Sequence, residues 1–176
     1  MDQPSLFDKE PAYCIDTNVI VSFMVESDDE FYGRDVFRPQ WEYIEQLVDT
    51  GRIVAPHRVE VELAKWTRHH DQIRTWVRDH RRMFRQVESQ EQLLMAKQIV
   101  NRYPVYGESM NYLGDLEVMT LAHALAVPVV TLEREMPAHQ QVSRRRPKIP
   151  NVCREFGIEC LSLSGLLRRE RFGDEP

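Results

Sequence analysis

Short apolar runs alternate with longer amphipathic stretches along the chain. Residues 12–15 form an apolar run that stops at Asp16. Because it lacks apolar–polar alternation, it predicts a buried strand of the kind found inside a parallel sheet. The apolar segment 18–25 predicts a two-turn helix, with Thr17 or Asn18 available as its cap. An acidic loop follows over 26–35. Pro39 opens a helix carrying Trp41, Ile44, Leu47 and Val48 at spacings of three and four, and Gly51 ends it. Residues 52–55 predict a second strand. From Pro56 onward, Val59, Leu63, Trp66, Ile73, Trp76 and Val77 mark an apolar side that runs toward Phe84 in one helix or two. Ser89 and Glu91 start a further helix through Val100, closed by Pro104.

The second half continues the alternation. Residues 103–113 predict a loop. Residues 115–126 predict a helix with Leu116, Met119, Leu121, Ala122 and Leu125 facing inward, and 128–131 a third strand. The polar, basic stretch 136–148 has prolines near both ends and reads as a loop or partly disordered. Residues 150–156 predict a short helix stopped by Gly157, and 158–161 a fourth strand. Ser162 or Ser164 caps a last helix through Arg171. Strands alternating with helices imply an α/β fold whose parallel sheet is covered on both faces, with its binding crevice at the carboxyl ends of the strands. With no repeat and no dividing linker, the organisation expected is a polar lead-in at 1–11, one domain at 12–171 and a tail at 172–176.

Composition narrows the class. The 176 residues are 42% hydrophobic and 29% charged, ordinary for one globular domain. No apolar run approaches the roughly 18 residues of a membrane span, and the polar, acidic start does not read as a secretory signal. The three cysteines, Cys14, Cys153 and Cys160, lack the spacing of a disulfide framework or a zinc site. A reducing cytoplasm is the simplest compartment. The net charge of −5 argues weakly against nucleic acid, yet it is uneven. Acids dominate residues 1–50, whereas 58–85 and 144–148 are basic, and a local basic face can bind phosphates on an acidic protein. The plainer reading of these arginines is a solvated helix face. The six histidines form no metal pattern, and the three tryptophans fall at core-facing spacings.

Four acids stand in distinctive contexts: Asp16 directly after a buried strand, Glu62 near the start of a helix, Asp115 after Gly114 at a helix start, and Glu133 just past the third strand. Gathered in one crevice they would repel one another, and only raised pKa values or a shared divalent cation makes such a cluster tolerable. Magnesium and manganese suit oxygen donors of this kind, and one or two such ions suit phosphodiester chemistry. Taken singly, Asp16 is also a plausible helix cap, Asp115 a helix N-terminal acid, and Glu62 and Glu133 solvated acids.

Asp16-Thr17-Asn18 after a strand, Pro56 to Leu63, Asp115 to Ala122, and Val130-Thr131 with Glu133 together resemble the four motifs of the PIN domain, the family of VapC-type toxins and other RNA nucleases. The match runs over 12–135, and the ending 148–160 is similar to a bacterial PIN-like subgroup. The resemblance implies a three-layer α/β/α sandwich with a central, mostly parallel sheet. It implies Asp16, Glu62, Asp115 and Glu133 as catalytic and metal-binding residues for Mg2+ or Mn2+. The family more often has Asp at the position of Glu133, so this residue would act directly or through a water. Glu60 competes with Glu62 but fits the motif's offset poorly. Asn18 would orient Asp16, Thr131 would hydrogen-bond near the site, and Glu117 would stand in for Asp115.

The implied activity is a metal-dependent endoribonuclease that cleaves RNA through a magnesium-activated water, as the toxin of a toxin–antitoxin pair. Lys65, Arg68, Arg144, Arg145 and Arg146 would grip the RNA. The implied partners are an RNA substrate, an antitoxin protein and a second copy in a homodimer. The alternative is a catalytically silent PIN-like module that binds RNA or protein. A phosphatase with an aspartate nucleophile fits less well, because such enzymes usually carry a second Asp two residues on, where this chain has Asn18.

Overall fold

The computed structural model describes residues 9–137 and 147–174. Arg144, Arg145 and Arg146 lie outside the described residues. The first strand, β1 (Tyr13–Ile15), is wholly buried and leads into α1 (Thr17–Met24), whose residues from Val19 onward are all buried. A helix this apolar belongs inside the molecule. Then come α2 (Arg38–Asp49), β2 (Ile53–Pro56), α3 (His57–Leu63), α4 (Asp71–Asp79), β3 (Phe84–Arg85), α5 (Gln90–Arg102), α6 (Val105–Glu108), α7 (Leu113–Leu125), β4 (Val129–Val130), α8 (Ile149–Phe156), β5 (Cys160–Leu161) and α9 (Leu163–Arg169).

The five strands form one parallel sheet in the order β3-β2-β1-β4-β5. The three-layer α/β/α sandwich implied by the family resemblance is present, and every strand pairing in the sheet is parallel. From β1 the chain steps to β2 and β3 on one side, then crosses back to β4 and β5 on the other. Right-handed crossovers therefore put the connection through α2 on one face and those through α5, α7 and α8 on the opposite face. The order reverses between β1 and β4, and the carboxyl ends of two such strands open the crevice in which α/β proteins bind ligands. Ile15 pairs with Val130 at that point.

Several elements differ from the sequence reading. The stretch from Pro56 toward Phe84 is two helices, since after Leu63 the backbone turns through i→i+3 bonds such as Trp66 N–H to Leu63 O and Thr67 N–H to Ala64 O. Trp66 is consequently 37% exposed, while Trp41 and Trp76 are buried as their spacing predicts. Leu125, expected inward, is exposed at the last position of α7. The expected loop 103–113 contains α6 and a short 3-10 turn, Met110–Tyr112. Strand β3 was not expected. Ser89 does cap α5, but its capping-box partner is Gln92. Ser162 caps α9 by accepting from Gly165 N–H, and Gly157 ends α8 with φ +69°, a conformation that favours glycine.

The chain's end is tied back across the sheet. Glu170, just past α9, accepts from the Tyr13 hydroxyl at 2.5 Å, from Tyr43 at 3.3 Å and from both terminal nitrogens of Arg52. Phe172 packs on Tyr43 with ring centroids 5.3 Å apart.

Candidate metal and phosphodiester site

Asp16 is the residue at which β1 stops. Its own N–H continues the sheet by donating to Val130 O, which fixes its carboxyl at the carboxyl edge beside β4. Asp16 occupies the N-cap position of α1 but makes no side-chain cap bond, and neither Thr17 nor Asn18 serves as the cap. All three side chains are turned to other partners. The Thr131 hydroxyl donates to Asp16 Oδ2 at 2.8 Å. It also accepts from Asn18 Nδ2 at 3.1 Å and from Glu133 N–H at 3.1 Å. Asn18 Oδ1 takes Leu132 N–H. Asn18 therefore bears on Asp16 through Thr131.

Thr17 donates to Glu62 Oε2 at 2.6 Å. On its other side Glu62 presses against Gly114, where a Cβ would overlap Glu62 Oε1. Helix α7 thus starts with a residue that has no side chain, where the Glu62 carboxylate must pass. Glu60 is turned away, with His57 Nδ1 2.9 Å from its carboxylate. Asp16, Glu62, Asp115 and Glu133 all line one cavity of about 460 Å³.

The electrostatics reflect that gathering. Asp16 is 5% exposed, and burial, then the charge of Asp115, push its pKa up to about 8. Glu133 and Glu62 add to the rise, while the bond from Thr131 opposes it. Glu133 is held from its far side: Ile149 N–H, in the first turn of α8, donates to Oε2 at 2.8 Å, and Lys148 Nζ lies 3.4 Å from Oε1. Glu117 is not among the cavity's lining residues. Burial raises its pKa against the opposing influence of Arg58 and His57. Lys65 and Arg68 are exposed on the turn that carries Trp66.

Glu30, Phe31 and Trp66 are among the lining residues that the sequence did not mark for the site. Glu30 and Phe31 come from the acidic loop after α1, and Trp66 was assigned to the core. Burial and neighbouring Asp29 raise the Glu30 pKa. A phenylalanine within a run of acids was the available signal for this loop. The polar side chains around the cavity are carboxylates, a hydroxyl and the Asn18 carboxamide, with no thiol or imidazole among the described lining residues, a set that fits a hard cation such as Mg2+ or Mn2+. Among the described residues, no group of three or more His, Cys, Asp or Glu side chains is placed to hold a metal ion.

A family model described as "Domain of unknown function (DUF4411)" matches residues 13–173. No curated protein matches the chain. Among solved structures, a chain of VapBC2 from Rickettsia felis, crystallised with a DNA fragment from their promoter, is similar at 13% identity with a TM-score of 0.50. The alignment covers 86% of this chain and 98% of that chain. That likeness is one of fold, and the fold is PIN-like. No helix among the described residues is long and apolar enough to cross a membrane.

Proposed function

Because the chain belongs to the DUF4411 family, a domain of unknown function, and carries a PIN-like fold, we propose that it is a metal-dependent endoribonuclease acting at the Asp16 cavity. The observation that carries this reading is the convergence of Asp16, Glu62, Asp115 and Glu133 on one cavity at the reversal of strand order. Four carboxylates there repel a phosphodiester as they repel each other, so RNA approach requires a cation. Asp16, Asp115 and Glu62 would hold Mg2+ or Mn2+, drawing together to do so, with Glu133 at the rim because α8 already engages it. A divalent ion so held supplies Lewis acidity toward the phosphodiester and the attacking water.

The chain's own residues prepare this. Thr131 fixes one oxygen of Asp16, which lines the cavity. Thr17 and Gly114 set the direction of Glu62. Lys65 and Arg68 offer positive charge to the RNA backbone outside the acidic cavity. The products would carry a 5′-phosphate and a 3′-hydroxyl. The reading extends to a toxin whose antitoxin covers the cavity, in the simplest form with a basic side chain among the acids, and to a homodimer.

A second reading, a catalytically silent module that binds RNA or protein, gains from the engagement of Glu133 by Lys148 and Ile149. One experiment separates the two. Wild type and Asp16→Asn are incubated with a mixed RNA pool with Mg2+, with Mn2+ and with EDTA. Cleavage by wild type that needs the metal and disappears in the variant supports the enzyme. RNA binding by both without cleavage of any RNA supports the module.

A further inference from the structure

We infer that Phe31 and Trp66 form a stacking site for one unpaired nucleobase beside the carboxylates. The inference rests on the ribonuclease reading for the identity of its ligand. It starts from the remaining lining residues of the same cavity. Opposed in chemistry to the carboxylates, the lining includes Phe31, Trp66, Val21 and Leu132. Phe31 is 70% exposed and Trp66 37% exposed. Neither ring is in the core, and both contribute to the wall of the cavity that holds Asp16.

The Phe31 loop is anchored so that this ring is presented to solvent. Its neighbour Tyr32 stacks on buried Phe23 at 5.5 Å and 26° and meets Phe37 edge-on at 5.3 Å, while Tyr32 N–H donates to Ser22 Oγ. With Tyr32 pinned inward, Phe31 points away from the core. Trp66 is set by the turn after α3, and its ring lies 6.1 Å from that of His70. A cavity lined by both aromatic rings and carboxylates matches a nucleotide, whose base is a flat π surface and whose phosphate needs cation-mediated contact. A base within a duplex is stacked and paired, and cannot reach such a wall without being unpaired.

The test measures binding of a ten-nucleotide single-stranded RNA, the same strand with abasic residues, and the same sequence as a duplex, to the full chain in Mg2+. The expected result is that wild type binds the intact strand roughly ten-fold or more tightly than the abasic strand and the duplex, since each stacked base is worth a factor of this order. Phe31→Ala and Trp66→Ala bring the intact strand toward the abasic affinity and leave abasic binding unchanged, while Trp66→Phe restores part of the loss. Circular dichroism confirms that the variants fold. Equal binding of intact and abasic strands by wild type overturns the inference, as does an intact-to-abasic ratio that the substitutions leave unchanged. Cleavage in Mg2+ is scored separately. Base-dependent binding without cleavage would remove the ribonuclease reading and leave the stacking site standing. Cleavage without base dependence would do the reverse.

Discussion

The Thr131 hydroxyl and the Asp16 carboxylate meet at 2.8 Å across the carboxyl ends of β4 and β1, although 115 positions separate them along the chain. The bond joins two neighbouring strands at the point where the strand order reverses. It also makes Thr131 the hub through which Asn18 and the Glu133 backbone reach the buried acid. Replacing the hydroxyl with a methyl of similar size tests that hub. Thr131→Val leaves Asn18 Nδ2 and Glu133 N–H without their acceptor, so unfolding free energy should drop by about 1–3 kcal/mol. Urea denaturation measures it. A variant as stable as wild type would show that these bonds are replaced by water.

Asp16 gives a pH dependence with a definite sign. Its pKa in the folded state, about 8, lies above its ordinary 3.8. Between those values the folded, cation-free protein keeps a proton that the unfolded chain has released. The associated stability is therefore full below about pH 4 and is lost as pH rises toward 8. Thermal melts in EDTA should show wild type losing stability across pH 4–8, while Asp16→Asn changes less. Near pH 8 the variant should be the more stable by about 1–3 kcal/mol, a gain of the kind found when a site's charge cluster is relieved. Added Mg2+ should raise the melting temperature of wild type and leave the variant unmoved. A variant less stable than wild type at pH 8 in EDTA would mean that the carboxylates do not strain the fold.

The strands and the order of the acids were legible because both are local. Tyr13–Ile15 is an uninterrupted apolar run, and Asp16 is the residue that interrupts it. Strand β3 was not legible, since Phe84–Arg85 is two residues whose pairing with Ala55 and Pro56 is dictated by the neighbouring strand. Trp66 misled for a related reason. Its spacing from Val59 and Leu63 continues an apolar stripe, but the helix that would carry the stripe ends at Leu63 and the ring emerges at the cavity. Glu30 and Phe31 belong to a loop without periodicity, so their place in the lining is decided by the packing of Tyr32 at their side. Glu117 follows Asp115 by two residues, which on a helix turns it to another side, toward Arg58.

Glu170 makes a prediction of opposite sign from Asp16. Burial raises its pKa, but the bonds from Arg52, Tyr13 and Tyr43 and the Arg52 charge outweigh burial and leave it below its ordinary value. Its contribution is therefore present above about pH 4.5 and is lost as pH falls through the depressed value. Its side chain is only 9% exposed, and Glu170→Gln should cost about 1–3 kcal/mol at neutral pH by weakening the tie between the chain's end, β1 and α2. In urea titrations the wild-type and variant stabilities should converge in acid. Parallel curves down to pH 3 would mean that the carboxylate's charge contributes nothing.

Gly114→Ala separates the site from the fold. Alanine is the better helix former by about 1 kcal/mol, and Gly114 lies in the first turn of α7. Its Cβ would overlap Glu62 Oε1, the end of a flexible side chain that can swing aside at little cost to the core. The displaced carboxylate would leave the cavity and break its bond with Thr17. Stability in EDTA should therefore stay within about 1 kcal/mol of wild type. Mg2+-dependent thermal stabilisation, measured across a metal titration, should need at least ten-fold more metal, because a lost charged ligand costs a factor of that order. A second variant, Glu62→Gln, should show the same metal dependence without the change in helix propensity. If Gly114→Ala binds Mg2+ as wild type does while Glu62→Gln does not, the overlap has been absorbed elsewhere and Glu62 has kept its place. If both bind as wild type does, Glu62 is not among the groups that hold the ion.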